Sequence, residues 1–315
     1  MGNVFYFEWE VQMMAWLQEK MGEGLASVVS FFSAFGEEIV LILLVGFLYW
    51  CYDKKLGRKV GLNILMGLVW SPMVKNIALR IRPYIANREK IRLLRLVDSG
   101  ADANDIAAQG YSFPSMHSTN AVTAYGSLAM YLKKKWMWIV AVVITLLVGF
   151  SRVYVGAHYP TDVLVGWAVG VLTIAVVALL DRLIPNRKVF YAVLVLTAIP
   201  GLFYCRSNDY FSSFGLLAGF LAGQMFEEAK VRFTETRKPL QVILRILGGG
   251  LVYFALEKLL KLPFPQEILQ GTDALAMTVR TVRYAVLAFA EFGLYPMVFP
   301  LFEKLSPAGK EKEQA

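Results

Sequence analysis

Apolar runs of roughly bilayer-spanning length alternate along this chain with short polar loops. Runs over about 26–50, 60–81, 116–132, 136–152, 161–181, 189–205, 211–228, 241–260 and 277–302 approach the ~20 residues that a helix needs to cross a hydrocarbon core. The pattern predicts an all-α fold, a polytopic membrane helix bundle of about nine spans. Residues 4–21 read differently. Phe5, Trp9, Met13 and Trp16 recur near helical spacing with glutamates between them, which predicts a helix lying in the membrane interface. The chain therefore divides into an interfacial helix at 1–24, a helical core at 25–205, and additional helices with a polar tail at 206–315.

Composition agrees with a membrane solvent. Of 315 residues, 57% are hydrophobic and only 18% charged, too apolar for an ordinary soluble domain. No long polar linker separates two halves, so one embedded unit is expected. A net charge of +8 raises the question of nucleic acid. The excess Lys and Arg, however, cluster in short loops between apolar runs, as topology signals do. No nucleic-acid module is visible, and no nucleic-acid partner is expected. The segments 53–59, 133–135, 187–188 and 230–238, with the tail from Glu303 to Ala315, fall on one face, cytoplasmic by the positive-inside rule. The basic loop 82–115 runs against that rule, and Arg88, Lys90, Arg92 and Arg95 read as functional or interfacial charges. Cys51 and Cys205 end different spans on opposite faces, which argues against a disulfide. Neither CxxC nor HExxH occurs, and no metal site is expected. Residues 1–20 lack the basic start of a signal peptide.

Only two histidines occur, and both lie among cationic and acidic residues at the outer ends of spans. Lys75 and Arg82 are seven residues apart, nearly two helical turns, so they share a face before Pro83 ends the helix. An ammonium and a guanidinium suit a phosphate, although both residues also snorkel at helix ends. Ser115 in Pro114-Ser115-Met116-His117 is placed to cap a helix whose free N–H groups attract an anion, and His117 on its first turn can give a proton to a leaving oxygen. A plain helix start with a surface histidine fits the same residues. Arg152 adds a third cation. His158 and Asp162 are four apart, within reach across one turn, where a carboxylate fixes the imidazole tautomer. A capping aspartate beside a structural histidine is the alternative.

In this order and spacing, Lys-x6-Arg-Pro, Pro-Ser-x-His and Ser-Arg-x5-His-x3-Asp over residues 75–162 resemble the type 2 phosphatidic acid phosphatase superfamily, which includes vanadium haloperoxidases, glucose-6-phosphatases and sphingosine-phosphate phosphatases. The stretch Phe35-Gly36-Glu37-Glu38 through Tyr49-Trp50-Cys51 is similar to the sphingosine-phosphate phosphatase branch. The resemblance implies a six-helix phosphatase core and a phosphohistidine mechanism. His158 is then the nucleophile, Asp162 its orienting carboxylate, and His117 the acid for the leaving group. Lys75, Arg82, Ser115 and Arg152 hold the phosphoryl oxygens, and no metal or other cofactor is implied. Met116 departs from the glycine usual before the motif histidine. Its backbone N–H remains, while its side chain must point away from the phosphate.

The resulting expectation is an integral membrane hydrolase, a metal-independent phosphatase of lipid phosphomonoesters or diphosphates, acting in lipid metabolism with its site on the extracytoplasmic side. A sugar-phosphate phosphatase and a non-hydrolytic phospholipid transporter or scramblase are the alternatives. Its partners are the lipid phosphate and the bilayer; oligomeric state is not legible. Gly215, Gly219 and Gly223 predict close helix packing within the chain, as do Gly166 and Gly170. Gly248-Gly249-Gly250 predicts close packing or a helix irregularity. Arg245, Glu257, Arg283 and Glu291 interrupt the last apolar runs, either for function or for pairing. Glu37 and Glu38 are placed to face the site.

Overall fold

The structure, a computed structural model, describes residues 2–95 and 102–305. It is all helical. Among the described residues there is no strand, only an isolated parallel bridge between Asn3 and Arg80. Six helices are long and apolar enough to cross a membrane: Lys54–Ala78, Lys135–Tyr154, Pro160–Leu183, Arg187–Tyr204, Pro239–Leu259 and Ala274–Leu305. A pair bent by 47°, Ala26–Gly36 and Glu38–Tyr52, makes a seventh if it is one span. The runs over 116–132 and 208–231 also fold as helices. They are more polar: Ser118, Thr119, Asn120, Thr123 and Ser127 are buried in the first, and Glu227, Glu228 and Lys230 end the second. Length and composition thus give six or seven spans, with two further helical runs beside them. The tail beyond residue 305 lies outside the described residues.

Local sequence sets the ends of the helix that carries the first motif. Asp53 caps Lys54–Ala78 by accepting from the Leu56 N–H at 2.8 Å. At the other end Leu79 takes a left-handed conformation (φ 52°), which halts the helix and turns the chain. Pro83 then opens the short helix Pro83–Ala86. Arg80 and Arg82 are left on the connecting segment, free to reach inward rather than along the helix surface.

Glycines bring the motif helices together. A methyl at Gly166 would lie 2.6 Å from the Ser115 carbonyl oxygen, and one at Gly170 would lie 2.6 Å from Val122 Cβ. Pro160–Leu183 therefore packs directly on the helix that begins at Met116. On Asn208–Phe226, added methyls at Gly215 and Gly219 would strike the carbonyls of Thr281 and Ala285. That ladder is an intramolecular seam to Ala274–Phe289. Gly248 and Gly249 sit against Tyr295 and Trp50 within an unbroken helix, Pro239–Leu259, so close packing is their role.

The amino-terminal helix spans Glu8–Met21. Phe5, Phe7, Trp9 and Trp16 are exposed, whereas Val11 and Met14 are fully buried. Glu10 also points inward and is completely buried, so the glutamates do not form one polar face. Gln18 donates to the carbonyls of Arg92 at 2.8 Å and Tyr154 at 3.0 Å, tying this helix to the motif loops. Both cysteines are buried free thiols. Of the charges in the last helices, Arg245 donates to the Trp50 and Thr234 carbonyls, and Glu257 pairs with Lys261. The buried Glu291 Oε1 and Arg283 Nε make no hydrogen bond.

Candidate active site

The first and third motif segments meet at Arg82. Its Nη1 lies 3.3 Å from His158 Nε2 and donates to the Ala157 carbonyl at 2.9 Å. Its Nε and Nη2 are held by the carbonyls of Gln109 and Gly110, at 2.6–3.1 Å. The guanidinium is thus fixed from behind, with Nη1 beside the imidazole. The His158 N–H donates to the Arg152 carbonyl at 3.2 Å, which anchors the loop to the end of Lys135–Tyr154.

His158 Nδ1 is 3.6 Å from Asp162 Oδ2, both groups being buried. That separation exceeds a hydrogen bond. Oδ2 instead accepts from the Tyr159 backbone N–H at 2.8 Å. Burial, and then the positive charges of Arg82, Arg152 and Lys75, hold the imidazole of His158 well below the ordinary histidine range. Protonation would place another cation in a dry cluster of cations. At neutral pH the ring is uncharged and Nε2 keeps its lone pair.

The second segment packs alongside. Ser115 caps the helix Met116–Ala121: its Oγ accepts from the Ser118 N–H at 3.4 Å and its own N–H donates to the Asp162 carbonyl at 2.9 Å. His117, in the first turn, lies within electrostatic reach of Arg152, His158, Arg82 and Lys75. Arg152 donates to Ser33 Oγ at 3.1 Å, while its buried Nε and Nη2 have no partner. Two unsatisfied guanidinium donors in a buried position are costly unless an anion completes them. Lys75 faces Asp209 Oδ2 at 3.6 Å.

A cavity of about 1330 Å³ opens onto this cluster. His117 and Arg152 line its inner wall, and Met116, Asn120, Glu37 and Glu38 flank them. Asn208, Asp209, Tyr253, Glu257, Arg280 and Tyr284, from helices after residue 206, also line it. Met116 also packs against the main apolar core.

Three participants were not singled out from sequence. Arg80 is 1% exposed and bonds both Asp162 and Glu10. Glu10 also accepts from the Thr161 N–H at 3.0 Å and from Thr161 Oγ1 at 2.6 Å. Asp209 brings the added helices to Lys75. A signal existed for Glu10, which shares a helical face with Val11, Met14 and Gln18. Arg80 and Asp209 depend on a reversed backbone turn and a long-range contact, and local pattern shows neither.

Comparison with known proteins gives the family. The PAP2 superfamily model matches residues 57–184, and that of the PAP2 superfamily phosphatase transmembrane extension matches residues 211–308. An undecaprenyl-diphosphatase of Bacillus subtilis is 31% identical over 157 residues, 49% of this chain and 70% of that protein. The chain belongs to the PAP2 superfamily. An undecaprenyl-diphosphatase of Sulfolobus acidocaldarius is 29% identical over 149 residues, 46% of this chain and 66% of the relative. A phosphatidylglycerophosphatase B of Bacillus subtilis is 43% identical over 87 residues, 25% of this chain and 43% of the relative. The chain thus spans between about two fifths and two thirds of the length of these last two relatives. No solved structure matches the chain. The extension match begins just after residue 206, where the cavity wall passes from the motif helices to the added ones.

Proposed function

We propose that this protein is a membrane phosphatase that hydrolyses lipid phosphomonoesters or diphosphates, without a metal, through a phosphohistidine at His158. The observation that carries the reading is the line Arg82–His158–Asp162. A neutral imidazole has one nitrogen beside a fixed guanidinium and the other facing a buried carboxylate. Undecaprenyl-diphosphatases and a phosphatidylglycerophosphatase among the relatives support a lipid substrate. The loop-charge pattern supports a site on the extracytoplasmic side.

The phosphoryl group enters between Arg82, Arg152, Lys75 and the capped helix start at Ser115. The cations spread its charge, as metal ions do in other phosphoryl transferases. Among the described residues no group of three or more His, Cys, Asp or Glu side chains is placed to hold a metal ion. His158 Nε2 attacks phosphorus while Arg82 shifts its N–H to a phosphoryl oxygen. The bond from phosphorus to the lipid oxygen breaks, and His117, which takes up a proton together with the anionic phosphate that enters beside it, gives that oxygen its proton. A water then attacks the phosphohistidine, its proton passing to the neutral His117, and inorganic phosphate leaves. As His158 gains positive character, Asp162 closes on Nδ1 and balances it.

The test is phosphate release from lipid phosphates by the purified protein in EDTA, with vanadate as inhibitor. Full activity in chelator and inhibition by vanadate are expected. Loss of activity on chelation, restored by a divalent ion, contradicts the metal-free part. Lipid translocation without phosphate release favours a transporter.

A further inference from the structure

An apolar slot opens off the catalytic cavity. Glu38, Leu68 and Leu216 line both. From this neck the slot follows Glu38–Phe47 down to Val45 and Lys54–Ala78 from Leu68 to Gly61. Phe220 and Ala288 of the added helices close its far side. Seven residues of helix, at about 1.5 Å each, make it roughly 10 Å deep, about a third of a ~30 Å hydrocarbon core.

The slot is narrow. Its volume is about 60 Å³, against about 1330 Å³ for the polar cavity above it. At Gly61 an added methyl would lie 2.8 Å from Phe220 Cζ and 3.1 Å from Val45 Cγ1. The walls therefore touch at Gly61, which is the floor of the slot, and the small volume above that floor takes one methylene chain and not two side by side. The chemistry also changes sharply along the path. The cavity carries His117 and Arg152, the neck carries Glu38 with Tyr253 OH donating to it at 3.1 Å, and everything below is aliphatic or aromatic.

We propose that this slot receives a single hydrocarbon chain of the lipid whose phosphate lies in the catalytic cavity, making the preferred substrate a single-chain lipid phosphate. The inference rests on the phosphatase reading above and adds a subsite to it. A chain arriving from the bilayer leaves one apolar medium for another, so the slot gains little from hydrophobic transfer. It selects by shape. A lipid with two chains attached next to its phosphate can seat one of them only by holding the second against Glu38 and the polar cavity wall. The added helices give the slot its far wall, so chain selection belongs to the part of the protein that the phosphate-binding motifs do not explain.

The test uses the purified full-length protein in detergent micelles with hexadecyl phosphate, butyl phosphate and dipalmitoyl phosphatidate. Hexadecyl phosphate should exceed phosphatidate in kcat/KM by at least about tenfold. Ala288→Leu and Ile64→Phe fill the slot. Each should lower kcat/KM for hexadecyl phosphate by about tenfold and leave butyl phosphate within about threefold of the parent. Equal use of one-chain and two-chain lipids, or slot variants that keep hexadecyl phosphate turnover, overturns the proposal. Should both variants fail to fold, the parent protein decides. Hexadecyl phosphate with a diazirine near mid-chain should label residues between Leu41 and Val45 or between Gly61 and Leu68; label confined to outward-facing positions such as Val142 and Leu146 overturns it. Failure of the catalytic reading is distinguished by the same set. A protein that releases phosphate from none of the three substrates loses the phosphatase assignment, while the cross-link still reports the slot.

Discussion

Arg80 grips Asp162: Nη1 of the arginine lies 2.6 Å from Oδ1 of the aspartate, and both are almost wholly buried. The same guanidinium holds Glu10 Oε2 at 2.8 Å through Nη2 and the Phe5 carbonyl at 2.8 Å through Nε. It is stacked between the rings of Phe5 and Tyr159, 4.8 and 4.0 Å from their centroids. Asp162 therefore meets His158 with its orientation set from behind by the amino-terminal segment. This is the arrangement in which an outer partner controls how a carboxylate serves its histidine.

Arg80 touches no part of the cavity, so its loss should act on turnover rather than on phosphate binding. Arg80→Gln is expected to lower kcat by about 10- to 100-fold, the usual scale for such outer partners. Vanadate inhibition should change little. A matching loss of vanadate affinity would show that Arg80 shapes the phosphate site itself.

The lowered proton affinity of His158 fixes the sign of the pH response. In the proposed mechanism the nucleophile is the neutral imidazole. In the folded protein protonation sets in only below the ordinary histidine value of about 6.5. Falling pH should thus lower kcat/KM through His158 only well below that ordinary value. A titration of that limb at or above 6.5, assigned to His158 by NMR, would contradict the electrostatic picture.

Arg152 has two buried donor nitrogens without a hydrogen-bond partner, which the proposed phosphate would complete. Lysine supplies the charge but not the fork. Arg152→Lys should cost about 10- to 100-fold in kcat/KM and weaken vanadate binding in parallel, since charge-assisted bonds are worth about 1.5–3 kcal/mol each. Unchanged vanadate affinity would remove Arg152 from the phosphate cage.

Asp209 faces Lys75 at 3.6 Å, so in the proposed phosphate site it would compete with phosphate for the ammonium. Neutralising it in Asp209→Asn should tighten product inhibition by inorganic phosphate by about three- to tenfold, the scale of one partly solvated charge contact. Weaker inhibition would mean that Asp209 instead orients the lysine for binding.

Much of this was legible in the sequence. Apolar runs of spanning length announced the helical bundle, and the spacing of Lys75, Arg82, Ser115, His117, Arg152, His158 and Asp162 pointed to one phosphate-handling cluster. What local pattern could not show depends on the path of the chain. Leu79 takes a left-handed turn that a leucine does not advertise, and Arg80 swings inward because of it. Glu10 reads as one of several polar residues on an interfacial helix until its partner, far along the chain, is in place. The added helices look like plain membrane anchors by hydropathy. Only packing reveals that Asp209 reaches Lys75 and that Phe220 and Ala288 wall a slot beside the site.

The central claim is that the imidazole at 158 attacks phosphorus, and its most direct measurement is lipid phosphate hydrolysis by purified His158→Ala in EDTA. A folded variant with turnover reduced by at least about 10⁴-fold is expected, as for removal of other catalytic nucleophiles. Turnover within about tenfold of the parent protein would contradict the account.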